Sequence, residues 1–217
     1  MQFSGIVFFA LFALVSLLHL YACARGLLPL RRASKVLLMP LLALAYGFCA
    51  AKPAFPVLLA LLFGWLGDIF LIRPTVKVFQ LSGIGSFIVG HVFYMAAMLR
   101  RLPGAALRLP WLSPLIALAL AAFCFSRVLP VMDKKMRGAG CSYYLVLSAL
   151  AAFAGVSLSA GISGALFSVL GALLFLCSDT LLCYQFFTVG SPAPKYDTAV
   201  MTTYLLAQTA LVLGFLL

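Results

Sequence analysis

The chain has 217 residues, of which 65% are hydrophobic and 9% charged, with a formal net charge of +11 and a mean hydropathy of +1.19. A soluble domain of this length has too small a core to hide so much apolar surface, so lipid is the natural solvent for most of it. The positive charge does not describe a nucleic-acid-binding face, because the basic residues sit between apolar runs and form no stripe interleaved with aromatics.

A helix that crosses a bilayer needs about 20 mostly apolar residues. Taken in chain order, eight runs qualify, at about 3–22, 35–51, 54–72, 80–99, 111–129, 141–158, 163–187 and 198–217. The separators RGLLPLRRAS, AKPAF, RPTVK, RRLPGAALRLP, PVMDKKMRGAG, SAGIS and SPAPKYD carry basic or helix-breaking residues, although SAGIS divides its two runs with small residues alone. The expected fold is an all-α integral membrane bundle of eight transmembrane helices, forming one polytopic domain over residues 1–217. The first run lacks a basic leader and is followed by further spans, so it does not read as a cleavable signal.

Eight spans put both termini on one side, and Lys and Arg then set the orientation. The face with the termini holds Lys52, Arg100, Arg101 and Arg108. The opposite face holds Arg25, Arg31, Arg32, Lys35, Arg73, Lys77, Arg127, Lys134, Lys135, Arg137 and Lys195. That bias makes the second face cytoplasmic and the termini extracytoplasmic. A bacterial inner membrane is the default location, since no eukaryotic targeting signal is evident.

The chain has four acidic residues, all aspartates. Asp133, in MDKKMR, reads as a solvated loop charge, and Asp197 as an N-cap for the last helix. Asp68, in GWLGDIFLI, and Asp179, in LLFLCSDTLLCYQF, fall inside spans. An ionised Asp at a helix centre costs roughly 2.5–3.5 kcal/mol, so both acids should face the bundle interior or a wet cavity. Both lie toward the basic face, which gives them similar depth. Either they share a cavity, or each pairs with a nearby basic residue to fix packing.

Other polar residues sit at compatible depths. Lys35 opens the second span, as a headgroup contact or as an anchor that snorkels to the interface. His91 lies mid-span with Tyr94 nearly one turn on; it is an interhelical contact or a catalytic group. Tyr204 and Gln208, four apart, share a helix face. Ser82, Ser86 and Gly90 recur every fourth residue, which suits close helix approach. Only His19 and His91 could serve a metal, without HxxxH or HExxH, so no zinc site is expected. The six cysteines show no CxxC and read as small membrane-buried side chains. Gly67-Asp68-x-x-Leu71 and Ser178-Asp179-x-x-Leu182 echo one another four spans apart, the offset of a parallel repeat relating two four-helix halves.

With these motifs the sequence resembles the YhhN-type lysoplasmalogenase family of integral membrane proteins. The similarity lies in SKVLLMPLLAL with Lys35, GWLGDIFLI with Asp68, GIGSFIVGHVFY with Gly83, Phe87, His91 and Tyr94, GALLFLCSDTLLCYQFF with Ser178 and Asp179, and VMTTYLLAQ with Tyr204, Ala207 and Gln208. One departure is Tyr184-Gln185-Phe186-Phe187, where the family often has a basic residue. The resemblance implies hydrolysis of the vinyl-ether bond of lysoplasmalogens drawn from the bilayer, giving a fatty aldehyde and glycerophospho-ethanolamine or -choline.

That chemistry suits two carboxyls. A vinyl ether hydrolyses by protonation of its β-carbon, and water captures the resulting oxocarbenium ion. A carboxyl in low-dielectric surroundings can hold the needed proton near neutrality, while a second stabilises the cation and takes a proton from water. The resemblance thus implies Asp68 and Asp179 as the catalytic pair. Lys35 would meet the lipid phosphate, and His91, Tyr94, Ser178, Tyr204 and Gln208 would support the site, with no cofactor or metal required and no nucleic-acid partner. Two other functions fit buried acids: a small proton- or cation-coupled transporter, and a non-catalytic lipid-binding scaffold. Against transport, no span shows the paired Gly/Pro interruption of discontinuous helices.

Overall fold

Proline and glycine, as much as the apolar runs, decide where these helices begin and end. The computed structural model describes residues 3–73, 76–103, 112–189 and 193–217. Among them lie α1 (Phe3–Arg25), α2 (Leu28–Cys49), α3 (Phe55–Phe70), α4 (Lys77–Leu99), α5 (Leu112–Val128), α6 (Arg137–Ser159), α7 (Ala165–Tyr184) and α8 (Pro194–Leu216). A short 3-10 turn at Lys134–Met136 precedes α6, and a π-helical segment at Gln185–Val189 follows α7. Of the expected connections and run ends, residues 74–75, 104–111 (with Arg108) and 191–192 lie outside the described residues.

Each expected run contains one helix. Six of the eight are long and apolar enough to cross a membrane, while α3 and α5 are apolar but only 16 and 17 residues long. At 1.5 Å per residue α3 is about 24 Å long, short of a hydrocarbon core of about 30 Å. The described helices fit a multi-pass membrane protein, and spanning length is met by six of them.

Helices α4 and α6 start three and four residues before the expected runs, and two other boundaries differ in ways that bear on the polar residues. The second helix starts at Leu28, not Lys35, because Pro29 in the first turn presets a helical backbone angle and Gly26, at φ +66°, makes the turn out of α1. The basic stretch expected to be a connection is therefore the opening of α2. The last helix starts at Pro194 with Ala193 at its N-cap position, so Asp197 is not the N-cap. Asp197 sits inside the first turn and is buried; Pro194 wins the boundary for the same reason as Pro29. Asp133 is exposed as expected, and its carboxylate accepts from the Lys135 amide at 3.1 Å.

The chain divides into two compact units. One comprises residues up to Tyr94, with Leu216. Within it α1 packs along α2 and α2 along α3. The approach of α4 to α3 depends on missing side chains: a Cβ on Gly67 would stand 2.7 Å from the Phe87 ring, and one on Gly90 3.1 Å from the Ala60 carbonyl oxygen. Stacked rings, Phe63 on Phe93 and Phe70 on Phe79, line the same seam. All six cysteines are free thiols; Cys23, in α1, is buried, whereas Cys141 and Cys177 face outward from α6 and α7.

The other unit runs from Met95 to Phe215, with Leu217. Here α5 packs on α6 and α7, and α6 on α7. The SAGIS connection is a real turn, with Gly161 at φ +69° and Gly164 at φ +73°. Gly164 also lies against the end of α8, where an added Cβ would be 2.5 Å from the Gly214 carbonyl oxygen. The last carbonyls of a helix lack intrahelical partners. Arg101 supplies one, donating to the Gly214 carbonyl at 2.7 Å and to the Ser163 carbonyl at 2.9 Å, with its guanidinium 5.7 Å from the centre of the Phe215 ring.

The two turn glycines give a controlled comparison. Both are left-handed, a conformation that costs a residue with a Cβ roughly 1–2 kcal/mol, but nothing lies within 4 Å of a Cβ on Gly161. Gly164→Ala is expected to lower the detergent melting temperature clearly more than Gly161→Ala. Equal losses would remove the close approach to α8 as a stabilising feature.

Candidate functional site

Because α2 begins at Leu28, its opening turns place Arg31, Ser34 and Lys35 at i, i+3 and i+4, on one helix face, and all three are buried. The Lys35 ammonium lies 3.1 Å from Oδ1 of Asp68, with the two side chains only 7% and 2% exposed. Lys35, expected at a lipid phosphate, is thus paired with the first candidate acid. The register that brings them together is fixed next door, where the Trp65 indole donates to the Val36 carbonyl at 2.8 Å. Gly67, beside Asp68, lets the Phe87 ring of α4 close over this part of α3. On α4, Phe87, His91 and Tyr94 follow at i, i+4 and i+7, and all are buried.

His19 has a structural place in the same unit. Ser34 Oγ donates its single proton to the Leu30 carbonyl at 2.7 Å, so the 2.8 Å contact with His19 runs from Nδ1–H to that oxygen. The other ring nitrogen lies 3.6 Å from the Cys23 sulfur. This buried histidine ties α1 to α2.

In the second unit Asp179 lies on α7 and is 5% exposed. The Tyr143 hydroxyl on α6 donates to its Oδ2 at 2.6 Å. One residue on, the Tyr144 hydroxyl donates to Thr180 Oγ1 at 3.0 Å, and Thr180 donates to the Leu176 carbonyl at 2.6 Å. The Ser178 hydroxyl does not meet its neighbouring carboxyl; it donates to the Val200 carbonyl at 3.1 Å and so joins α7 to α8. Tyr204 and Gln208 do share a face: the Gln208 amide donates to the Tyr204 hydroxyl at 3.4 Å, and the Tyr204 ring stands edge-on to Phe175.

Three polar residues in this unit escaped the sequence reading. Tyr143 was legible, since it and Asp179 lie at nearly equal distances from the turn joining α6 and α7. Asp197 is a third buried acid, hidden by the misplaced start of α8. Gln185 is buried where α7 passes into its π-helical segment, and its Oε1 has no hydrogen-bond partner among the described residues. Such π-helical insertions occur often at functional sites, and this one falls on the departure noted in the sequence, Tyr184 to Phe187.

Six long apolar helices among the described residues fit a multi-pass membrane protein, and Asp68 and Asp179 lie buried within apolar helices. Residues 30–215 match the model of the YhhN family, and the chain belongs to that family. No curated protein and no solved structure matches it.

Removing one member of a buried ion pair strands the other, at a cost of about 3–5 kcal/mol. Lys35→Met should therefore unfold at markedly lower temperature in detergent, and Lys35→Met with Asp68→Leu should recover much of the loss. A double variant no more stable than the single one would mean that the pair is not a unit.

Proposed function

We propose that the protein is a lysoplasmalogenase, hydrolysing the vinyl ether of lysoplasmalogens with Asp68 and Asp179 as its two carboxyls. What supports this most is the burial of both acids within apolar helices, in a chain that belongs to the YhhN family. In this reading all eight helices cross the bilayer, α3 and α5 spanning it with the help of their flanking residues.

The surroundings of each acid suggest a division of labour. Asp68 is opposed by an ammonium, which suits a carboxylate that stabilises a cation and accepts a proton. Asp179 accepts at Oδ2 from an uncharged phenol, which suits a carboxyl that carries and delivers a proton. Asp179 protonates the β-carbon of the vinyl ether, and the electron pair of the double bond forms the new C–H bond. The adjacent oxygen shares the resulting positive charge. Water adds to the oxygen-bearing carbon and passes a proton to Asp68, giving a hemiacetal. The hemiacetal hydroxyl returns its proton to Asp179 as the C–O bond to glycerol breaks, and Asp68 delivers its proton to the leaving oxygen. One water is consumed, and both carboxyls end as they began.

Purified protein given lysoplasmalogen should release fatty aldehyde. Asp68→Asn and Asp179→Asn should each lower the rate by about 100-fold or more while melting as cooperative folded proteins. Tyr143→Phe should act more mildly, by about tenfold. Full activity in both Asn variants would overturn the mechanism, and ion flux in liposomes without aldehyde release would favour the transporter.

A further inference from the structure

The end of α3 carries a second feature beside Asp68. A pocket of about 290 Å³ is lined by Ile69, Phe70, Ile72, Arg73 and Phe79. Its walls are apolar, and the stacked rings of Phe70 and Phe79, centroids 6.4 Å apart, join α3 to α4 there. Tight turns at the end of α3, with the Ile72 amide on the Ile69 carbonyl and the Arg73 amide on the Phe70 carbonyl, bring the exposed Arg73 back beside these side chains. Its guanidinium makes no hydrogen bond, ion pair or ring contact among the described residues. Lys77, also exposed, opens α4 close by in the chain.

We propose that this pocket is a binding site for a single-chain phospholipid, with the hydrocarbon against Ile69, Phe70, Ile72 and Phe79 and the phosphate on Arg73. The proposal rests on the reading of the protein as one that acts on lysophospholipids, and it assigns where such a molecule is held. An uncommitted guanidinium at the rim of an apolar hollow matches an anionic head on an apolar tail, and the planar fork of Arg suits phosphate oxygens. The volume lies just below the usual range for small-molecule sites, about 300–1,000 Å³, which suits one chain segment and not two. The position also fits. Successive residues on a helix point about 100° apart, so Asp68 turns onto Lys35 while Ile69 lines the pocket. A lipid seated here meets α3 one residue along the chain from Asp68.

Binding can be read without catalysis by using an alkyl-ether lysophosphoethanolamine, which has no vinyl ether to cleave. Native mass spectrometry of the detergent-purified protein counts the bound lipid. Arg73→Gln should weaken binding of this probe about tenfold, and Arg73→Lys should retain part of it. Hexadecylglycerol, which keeps the chain but lacks the phosphate, should bind the wild type more weakly and be indifferent to Arg73→Gln. Ile69→Trp, which fills the pocket, should weaken both ligands. Unchanged binding of the probe in Arg73→Gln and Ile69→Trp would overturn the proposal, as would equal competition by a diacyl phospholipid or by a free fatty acid. Intact probe binding without aldehyde release would sink the catalytic reading alone. Aldehyde release with unaltered binding in the pocket variants would sink this site alone.

Discussion

An ammonium and a carboxylate 3.1 Å apart, both almost wholly shielded, hold the first unit in register. Either charge alone in that setting would be expensive, and together they are tolerable only if the geometry is kept. The neighbouring features keep it. The Trp65 indole locks α3 against α2, Pro29 extends α2 far enough for Lys35 to sit within a helix, and Gly67 gives α4 room to close over α3. A membrane helix gains little from burying apolar surface against a neighbour, since lipid is equally apolar, so polar pairs and close backbone contacts carry more of the specificity.

The second unit repeats the plan with different chemistry. The hairpin α6–α7, like α2–α3, carries an acid in the later part of its second helix and a polar partner early in its first. The partner is a lysine in one case and a tyrosine in the other. The two buried acids thus have unlike partners, a cation in one unit and a neutral hydrogen-bond donor in the other.

Helix number and order were legible because apolar length and breaker residues are strong signals in a chain this hydrophobic. The start of α2 was not, because Arg31 and Arg32 look like a solvated loop, whereas Pro29 makes them the opening of a helix whose face buries Arg31, Ser34 and Lys35. Asp197 was misread for the same reason, with Pro194 claiming the first turn. Asp68 and Asp179 stood out as acids in apolar runs, but their partners needed a hairpin register: Lys35 and Asp68, like Tyr143 and Asp179, lie at nearly equal distances from the intervening turn. Arg73 read only as a topology charge, since a pocket formed by the end of one helix and the start of the next leaves no periodic trace.

Two carboxyls buried within apolar helices and membership of the YhhN family support the proposed vinyl-ether hydrolysis, which begins with proton transfer to carbon. The most direct test is to run the reaction in D2O and trap the aldehyde as it forms. Protonation of the β-carbon by an exchanged carboxyl predicts one deuterium on the carbon next to the carbonyl, found by mass spectrometry in essentially every product molecule. Aldehyde free of deuterium at that carbon, or no aldehyde at all from the folded wild-type protein, would contradict it.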